Sequence, residues 1–217
     1  SFLLYHIVKI FQDTFKGFLE VLTYCCIIIC EVICLDLEML KAECDECTAC
    51  KLSETRHNVV FGEGSENAKV MFVGEGPGET EDLTGRPFVG KAGMLLDKML
   101  LAAEIEREKV YIANIVKCRP PHNRDPEQSE EDACIEHLRN QVRIIRPQLI
   151  VCLGRIAACR LISPDFRVTR QHGQLIKKGN IMFIGTYHPS ALLRNPENKP
   201  AAFEDMLKIA KIYKESL

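Results

Sequence analysis

Three cysteines fall within the seven residues CDECTAC, at Cys44, Cys47 and Cys50. Thiols at this spacing can ligate zinc or an iron–sulfur cluster, form half of a disulfide set, or fill a hydrophobic core. The chain has eleven cysteines, an odd number without the regular spacing of a small secreted disulfide scaffold. We therefore expect reduced thiols and a cytoplasmic location, and the spacing alone leaves zinc and a cluster both open.

The segment GEGPGETE, residues 74–81, follows an apolar stretch that predicts a buried strand. Glycines directly after a strand let backbone N–H groups approach a ligand closely. The spacing is not G-x-G-x-x-G and no G-K-[ST] follows, which argues against dinucleotide and P-loop sites. The segment is therefore either a ligand-binding turn of another kind or a tight turn without a ligand.

Two further segments carry side chains suited to a planar ligand. Phe88 stands between glycines in GRPFVGKAG, just before a predicted helix, and can serve as a stacking platform or as cover for the core. Asn114 ends a predicted strand, and its side-chain amide both donates and accepts hydrogen bonds, which suits the edge of a nucleobase. Capping or turning the chain is the alternative role for Asn114.

Basic and apolar residues stand in two predicted loops. Arg119 and Arg124 lie in a proline-rich loop, where they face either phosphates or solvent. In HPSALLRNP, His188 follows a predicted strand, a position that makes it a candidate catalyst as well as a structural histidine. Leu193 and Arg194 form an apolar-then-basic tip, which suits insertion into a base stack. The alternative is a loop that packs on its own domain.

Predicted strands alternate with predicted helices along the chain. The strands lie within residues 68–79, 109–118, 148–154 and 181–190, and the helices within 37–44, 90–105, 127–147, 155–161 and 201–217. This alternation predicts an α/β fold of three layers, α/β/α, around a central, mostly parallel four-stranded sheet. In such sheets ligands bind at the carboxyl ends of the strands, where the glycine-rich turn, Asn114 and His188 would meet.

Length, composition and charge limit the number of domains and the class of protein. The 217 residues are 47% hydrophobic and 27% charged with a net charge of −2, as expected of one globular α/β domain without an overall basic surface. A local basic face can still bind nucleic acid. Residues 1–35 differ, because residues 19–35 are strongly apolar but contain Glu20 and Glu31, which disfavour a membrane span. We interpret residues 1–35 as an apolar extension of unknown role, and residues 36–217 as the functional domain.

Taken together, GEGPGETE, GRPFVGKAG, NIVKCRPPHNRDP and HPSALLRNP, in this order and spacing, resemble family 4 uracil-DNA glycosylases, the iron–sulfur class. The resemblance covers residues 36–217 and not residues 1–35. It implies an enzyme that flips uracil out of single- or double-stranded DNA, hydrolyses its N-glycosidic bond in base excision repair, and releases free uracil. It further implies a 4Fe–4S cluster held by Cys47, Cys50, Cys118 and Cys134, with Cys44 as an extra cysteine.

The resemblance also implies roles for individual residues. The implied uracil-binding residues are Glu75, Gly76, Pro77, Phe88, Asn114 and His188; the implied catalytic residues are His188, Glu75 and Glu81, and the implied DNA contacts are Arg119, Arg124, Leu193 and Arg194. In relatives outside this family an aspartate orients the water at the position of Gly76, and the commoner form of the motif here is GEAPGE. Because Gly76 has no side chain, a nearby carboxylate, Glu75 or Glu81, is expected to position the water or stabilise the sugar cation, and Glu75 is the preferred assignment. Glu81 is expected to exclude the thymine methyl.

Other functions compete with this one. The chain could be a catalytically inactive nucleic-acid-binding relative, a zinc-stabilised nucleotide-binding protein, or a glycosylase for another deaminated base such as hypoxanthine. We expect a monomer without stable membrane association, and a sliding clamp is a further candidate partner.

Overall fold

The computed structural model describes residues 36–215. The predicted apolar extension, residues 1–35, lies outside the described residues. Between residues 36 and 215, no helix is both long enough and apolar enough to cross a membrane.

The described residues contain a six-stranded sheet. Its strands are β1 (Glu63–Gly64), β2 (Val70–Gly74), β3 (Tyr111–Asn114), β4 (Leu149–Leu153), β5 (Leu175–Lys178) and β6 (Ile181–Thr186), in the order β1-β3-β2-β4-β6-β5. The four inner strands, β3, β2, β4 and β6, are mutually parallel, which confirms the predicted parallel core. The edge strands β1 and β5 are antiparallel to their neighbours and were not predicted.

Helices cover both faces of the sheet. They are α1 (Leu37–Asp45), α2 (Glu79–Thr84), α3 (Lys91–Ala102), α4 (Gln128–Ile145), α5 (Arg155–Leu161), α6 (Val168–Gln171), α7 (Pro189–Arg194) and α8 (Lys199–Glu215). Alternation along β2 divides the core: Met71 and Val73 pack with α1, α4 and α5, whereas Val70 and Phe72 pack with α3 and α8. The predicted three-layer α/β/α arrangement is therefore correct.

The segment after β3 leaves the sheet earlier than predicted. The sequence predicts a strand over residues 109–118, but the observed strand ends at Asn114. The N–H groups of Ile115 and Val116 still donate to the carbonyls of Gly74 and Glu75, at 3.0 and 3.1 Å. The chain thus follows the end of β2 before it turns towards the cysteines, so one short segment connects the two candidate sites described below.

Candidate functional site

A cavity of about 650 Å3 opens at the carboxyl ends of the parallel strands. The predicted site residues that line it are Glu75, Gly76, Pro77, Glu81, Phe88, Asn114, Arg124, His188 and Arg194. Three chain segments far apart in sequence therefore meet where strand direction places them, after β2, β3 and β6. A cavity of this size accommodates a small molecule or a single nucleotide.

Asn114 lines the cavity and carries a buried, unsatisfied hydrogen-bonding group. The residue is 1% exposed, and its Oδ1 has no hydrogen-bond partner among the described residues. Leaving a buried acceptor unpaired costs about 1–3 kcal/mol, so this atom is suited to receive a donor from a ligand. Gly74 makes the arrangement possible, because a Cβ there would lie 2.5 Å from Asn114 Oδ1 and 2.6 Å from Phe88 Cζ.

Phe88 occupies an unusual backbone conformation beside Asn114. Its φ of 52° lies in the left-handed region, which costs energy for a bulky side chain. Glu81 holds the loop, because its Oε1 accepts hydrogen bonds from the N–H groups of Val89 and Gly90 at 2.9 and 2.6 Å. The Phe88 ring centroid lies 5.7 Å from that of His188. Glu81 therefore both lines the cavity and restrains the aromatic loop.

His188 is fixed as a hydrogen-bond donor towards the cavity. It caps α7, and its Nδ1 accepts from the N–H of Ser190 at 3.2 Å and contacts Ser190 Oγ at 2.8 Å. Because Nδ1 accepts, we assign the proton of the neutral ring to Nε2. Burial, with a smaller effect of the Arg194 cation, lowers the His188 pKa to about 4. The ring is therefore neutral at physiological pH and still donates through Nε2–H.

Glu75 is the titratable carboxyl of the glycine-rich turn. Burial, with a smaller contribution from the negative charge of Asp125, raises its pKa to about 7, while the charges of Arg155 and Arg194 oppose the shift. A carboxyl with this pKa is poised to exchange protons near neutral pH. Asp125 and Arg155 form an ion pair at the cavity rim.

Gly76 leaves no room for a larger residue in the present packing. A Cβ at this position would lie 2.7 Å from Cγ2 of Val116, a stiff β-branched side chain. An aspartate here would therefore need Val116 to move. Because the glycine itself has no side chain, residue 76 has no carboxylate that could orient a water. The carboxyl of Glu75, one residue earlier, lines the same cavity.

Three further cavity residues were missed by the sequence interpretation. Ser190 orients His188, and Asp125 and Arg155 set the charge around Glu75. Arg155 directly follows Gly154 after β4, so its place at the carboxyl end of a parallel strand was a usable signal. Asp125 and Ser190 lie within NIVKCRPPHNRDP and HPSALLRNP, but no feature of the sequence indicated that either side chain lines the cavity.

The four predicted DNA contacts lie in different environments. Arg124 makes a bidentate ion pair with Glu130, at 2.8 and 2.6 Å, and Arg119 donates to Asn123 Oδ1 at 2.8 Å. Leu193 on α7 is 44% exposed, and Arg194 beside it is exposed at the cavity edge. Arg119 and Leu193 are not among the residues that line the cavity.

The cysteines of the opening motif converge with two later ones on a second, smaller cavity. Its cysteine lining consists of Cys44, Cys47, Cys50, Cys118 and Cys134. None of the cysteines among residues 36–215 forms a disulfide bond. Arg56 Nη1 donates to Cys118 Sγ, and the N–H of Lys117 donates to Cys134 Sγ, both at 3.3 Å. The sulfur atoms of Cys118 and Cys134 thus each accept a hydrogen bond from a neighbouring N–H group of the protein.

A model of the uracil DNA glycosylase superfamily matches residues 61–211, so the chain belongs to that superfamily. The chain is 48% identical to the type-4 uracil-DNA glycosylase of Thermotoga maritima over 165 residues, covering 75% of this chain and 86% of the relative. It is 45% identical to the type-4 protein of Sulfurisphaera tokodaii, over 81% of this chain and 84% of the relative. It is 41% identical to the type-4 uracil-DNA glycosylase of Archaeoglobus fulgidus, over 81% of this chain and 92% of the relative. Within the superfamily the chain belongs to the type-4 family, which confirms the resemblance.

Proposed function

We propose that this chain is a uracil-DNA glycosylase that takes uracil out of the DNA stack and hydrolyses its N-glycosidic bond, leaving an abasic site. The observation that carries the proposal is the buried, unpartnered Asn114 Oδ1 in one cavity with the neutral donor His188 and the aromatic Phe88. Chemistry on a base requires the base to leave the duplex, and this cavity has the size and lining to receive one. Family membership supports the same activity.

The base-binding step uses two of these groups. The Phe88 ring stacks on the flipped base, and the Asn114 amide pairs with the donor and acceptor on its edge. An N–H of the base then satisfies Asn114 Oδ1, which removes the cost of leaving that atom unpaired. The backbone of Glu75, Gly76 and Pro77 closes around the base. We retain Glu81 as the group that crowds a thymine methyl, acting from the cavity wall.

Bond cleavage moves electrons from the glycosidic bond onto the base. The base leaves with negative charge on a uracil oxygen, and the sugar becomes oxocarbenium-like. His188 Nε2–H donates to that oxygen as its charge grows, and because the ring is already neutral and oriented, little reorganisation is needed. This is electrostatic stabilisation by a fixed dipole, and it requires no proton on Nδ1.

Water attack completes the reaction. Glu75 in its ionised form positions the water and stabilises the sugar cation, and it accepts the proton that the water releases. Its pKa of about 7 makes the ionised fraction substantial at physiological pH. The side-chain-free Gly76 supports this assignment over the neighbouring position.

DNA contact is assigned to the α7 tip. Leu193 is exposed and apolar, which suits insertion into the gap left by the flipped base, and Arg194 faces the phosphates beside it. Arg119 and Arg124 are retained as DNA contacts, although the bidentate pair with Glu130 leaves less of the Arg124 charge available.

The second cavity is assigned to a 4Fe–4S cluster held by Cys47, Cys50, Cys118 and Cys134. Among residues 36–215, no three His, Cys, Asp or Glu side chains are close enough to bind a single metal ion. These cysteines nevertheless line one space, and because four thiolates suit a zinc ion and a cluster alike, the resemblance to the iron–sulfur family is what favours the cluster. The N–H donors on Cys118 and Cys134 also suit thiolate sulfur. When bound, the cluster would order the segments that carry its ligands.

We further propose that the protein acts as a monomer in the cytoplasm without stable membrane association, with a sliding clamp as a candidate partner. Of the three competing functions, the inactive nucleic-acid-binding relative accounts for the first cavity less well. An inactive nucleic-acid-binding relative does not need an oriented His188 beside an unsatisfied Asn114.

The proposed function is tested with anaerobically purified protein and single-stranded oligonucleotides that carry one deoxyuridine, one deoxyinosine or only thymidine. Hot alkali converts abasic sites into strand breaks. Breaks at deoxyuridine alone support the proposal, and breaks at deoxyinosine instead identify a hypoxanthine glycosylase. Folded, coloured protein that breaks neither strand would identify the inactive relative.

A further inference from the structure

The cysteine cavity and the base cavity are joined by hydrogen bonds. The link begins at Arg56, whose Nη1 donates to Cys118 Sγ at 3.3 Å and to the carbonyl of Cys47 at 2.7 Å. Its Nη2 donates to the carbonyl of Asp45 at 3.0 Å. The guanidinium therefore ties the first cysteine segment to the later one, and it fixes the chain that continues into His57.

The next step of the link is a buried carboxylate. Asp82 on α2 is 1% exposed, and its Oδ1 accepts from the N–H of His57 at 2.9 Å. Its Oδ2 lies 2.6 Å from His57 Nδ1, and the Asn58 side chain donates to the Asp82 carbonyl at 2.8 Å. Because the Asp82 carboxylate is buried, the hydrogen bonds from His57 replace those that it would otherwise make to water. The segment after the cysteines is thus held on α2.

Helix α2 also contacts the base cavity, so it connects the segment held by Asp82 to the loop that carries Phe88. Glu81, adjacent to Asp82, accepts from the N–H groups of Val89 and Gly90 and so holds the loop that carries Phe88. A second, shorter link runs through the fully buried Lys117, whose N–H donates to Cys134 Sγ and whose Nζ donates to the carbonyl of Asn114 at 3.0 Å. Both groups proposed to read the base are therefore connected to cysteine sulfur.

We propose that Asp82 is a positioning residue that couples order in the cysteine cavity to order in the base cavity. The proposal rests on the proposed function, because it takes uracil as the ligand of one cavity and the cluster as the ligand of the other. Coupling between two binding equilibria is reciprocal. If the ordered cysteine segment helps Phe88 to hold uracil, then bound uracil must help the protein to hold the cluster.

The test measures release of the cluster from the intact protein. Holoprotein is mixed with an iron chelator, and the decay of visible absorption is followed with and without free uracil. Uracil is used at a concentration that saturates each variant, as established by calorimetry. Site-to-site coupling is typically about 5- to 150-fold in equilibrium affinity. Because release of the cluster requires the cysteine segment to open, a coupling that stabilises the closed segment should slow the decay of wild-type colour when uracil is saturating.

The variants isolate the Asp82 link. The ratio compared is the decay rate without uracil divided by the decay rate with uracil. Asp82→Asn should lower this ratio well below its wild-type value, leaving only the part that the Lys117 link carries. His57→Ala removes a side chain that is 62% exposed, so the variant should fold, and it should lower the ratio partway. The matched control is Asp205→Asn. Asp205 is also 1% exposed and pairs with a histidine, His172, at 2.9 Å, but on α8 and away from the cysteines. This control should keep the wild-type ratio.

The outcomes separate this proposal from the proposed function. A wild-type ratio in Asp82→Asn, or equal losses in Asp82→Asn and Asp205→Asn, overturns the coupling through Asp82. Coloured wild-type protein that binds uracil but shows no slower decay overturns any coupling. Wild-type protein that is colourless overturns the cluster assignment, and wild-type protein that binds no uracil overturns the assignment of the base cavity; the coupling falls in either case. The strand-break assay then decides separately whether the proposed glycosylase activity holds.

Discussion

Replacing His188 by alanine is the sharpest test of the proposed chemistry. The substitution removes a single donor, Nε2–H, from the wall of the base cavity. Because His188 is the cap of a six-residue helix and partly exposed, the fold should survive its loss. Circular dichroism and the visible absorption of the variant check that it does.

The size of the effect follows from the state of the ring. Loss of one preorganised donor to a developing oxyanion costs about 2.7–4 kcal/mol, or about 100- to 1,000-fold in kcat. Ser190→Ala should have a smaller effect, about tenfold or less, because the backbone N–H of Ser190 still donates to Nδ1. The order His188→Ala, Ser190→Ala, wild type is therefore the expected order of increasing turnover.

The assay is single-turnover release of uracil from an oligonucleotide, measured at several pH values. With a His188 pKa of about 4, the ring is neutral throughout the range from about pH 5 to 8. The ratio of wild-type to His188→Ala rates should therefore be constant across that range. A ratio that falls about tenfold per pH unit above the ordinary histidine pKa of about 6.5 would mean that the cation is the active form, and it would refute the reasoning.

The remaining assignments are tested by Asp125→Asn, by Cys118→Ser with Cys159→Ser as its control, and by Arg194→Ala. The wild-type kcat/KM should rise with pH up to about 7 and then level off, because the Glu75 carboxyl is protonated below its raised pKa; Asp125→Asn should move this limb to lower pH, and an unmoved limb would assign it to another group. Cys118→Ser should lose the visible absorption while Cys159→Ser, outside the cysteine cavity, keeps it; a coloured Cys118→Ser protein contradicts the ligand assignment. Arg194→Ala should weaken DNA binding and reduce the slope of log K against log salt by about 0.9 for duplex DNA, and an unchanged slope excludes a phosphate contact.

Much of the fold was predictable because the parallel strands are continuous apolar segments. Strands β2 and β4 are buried along their whole length, as expected for a sheet covered on both faces. The edge strands were missed for different reasons. Strand β1 has only two residues, and β5 is largely exposed, so neither has a strong apolar pattern. The two-residue turn Gly179 and Asn180 between β5 and β6 was a usable hairpin signal.

The candidate site was predictable as a set of motifs but not as a set of contacts. The alternation of strands and helices predicts parallel strands, and because β2, β3 and β6 are parallel, their carboxyl ends lie at the same edge of the sheet. Hydrogen bonds between segments far apart in sequence, such as His57 to Asp82, have no local pattern. The raised pKa of Glu75 likewise depends on burial and on Asp125, fifty residues away. Such properties required the three-dimensional arrangement.

The most direct test of the central claim identifies both products in water enriched with heavy oxygen. Coloured protein is incubated with a deoxyuridine oligonucleotide, and the free base and the abasic strand are analysed by mass spectrometry. Our account predicts free uracil and abasic sites in equal amounts, with the heavy oxygen in the deoxyribose and none in the base. Absence of free uracil, or heavy oxygen in the released base, would contradict hydrolysis of the glycosidic bond at this site.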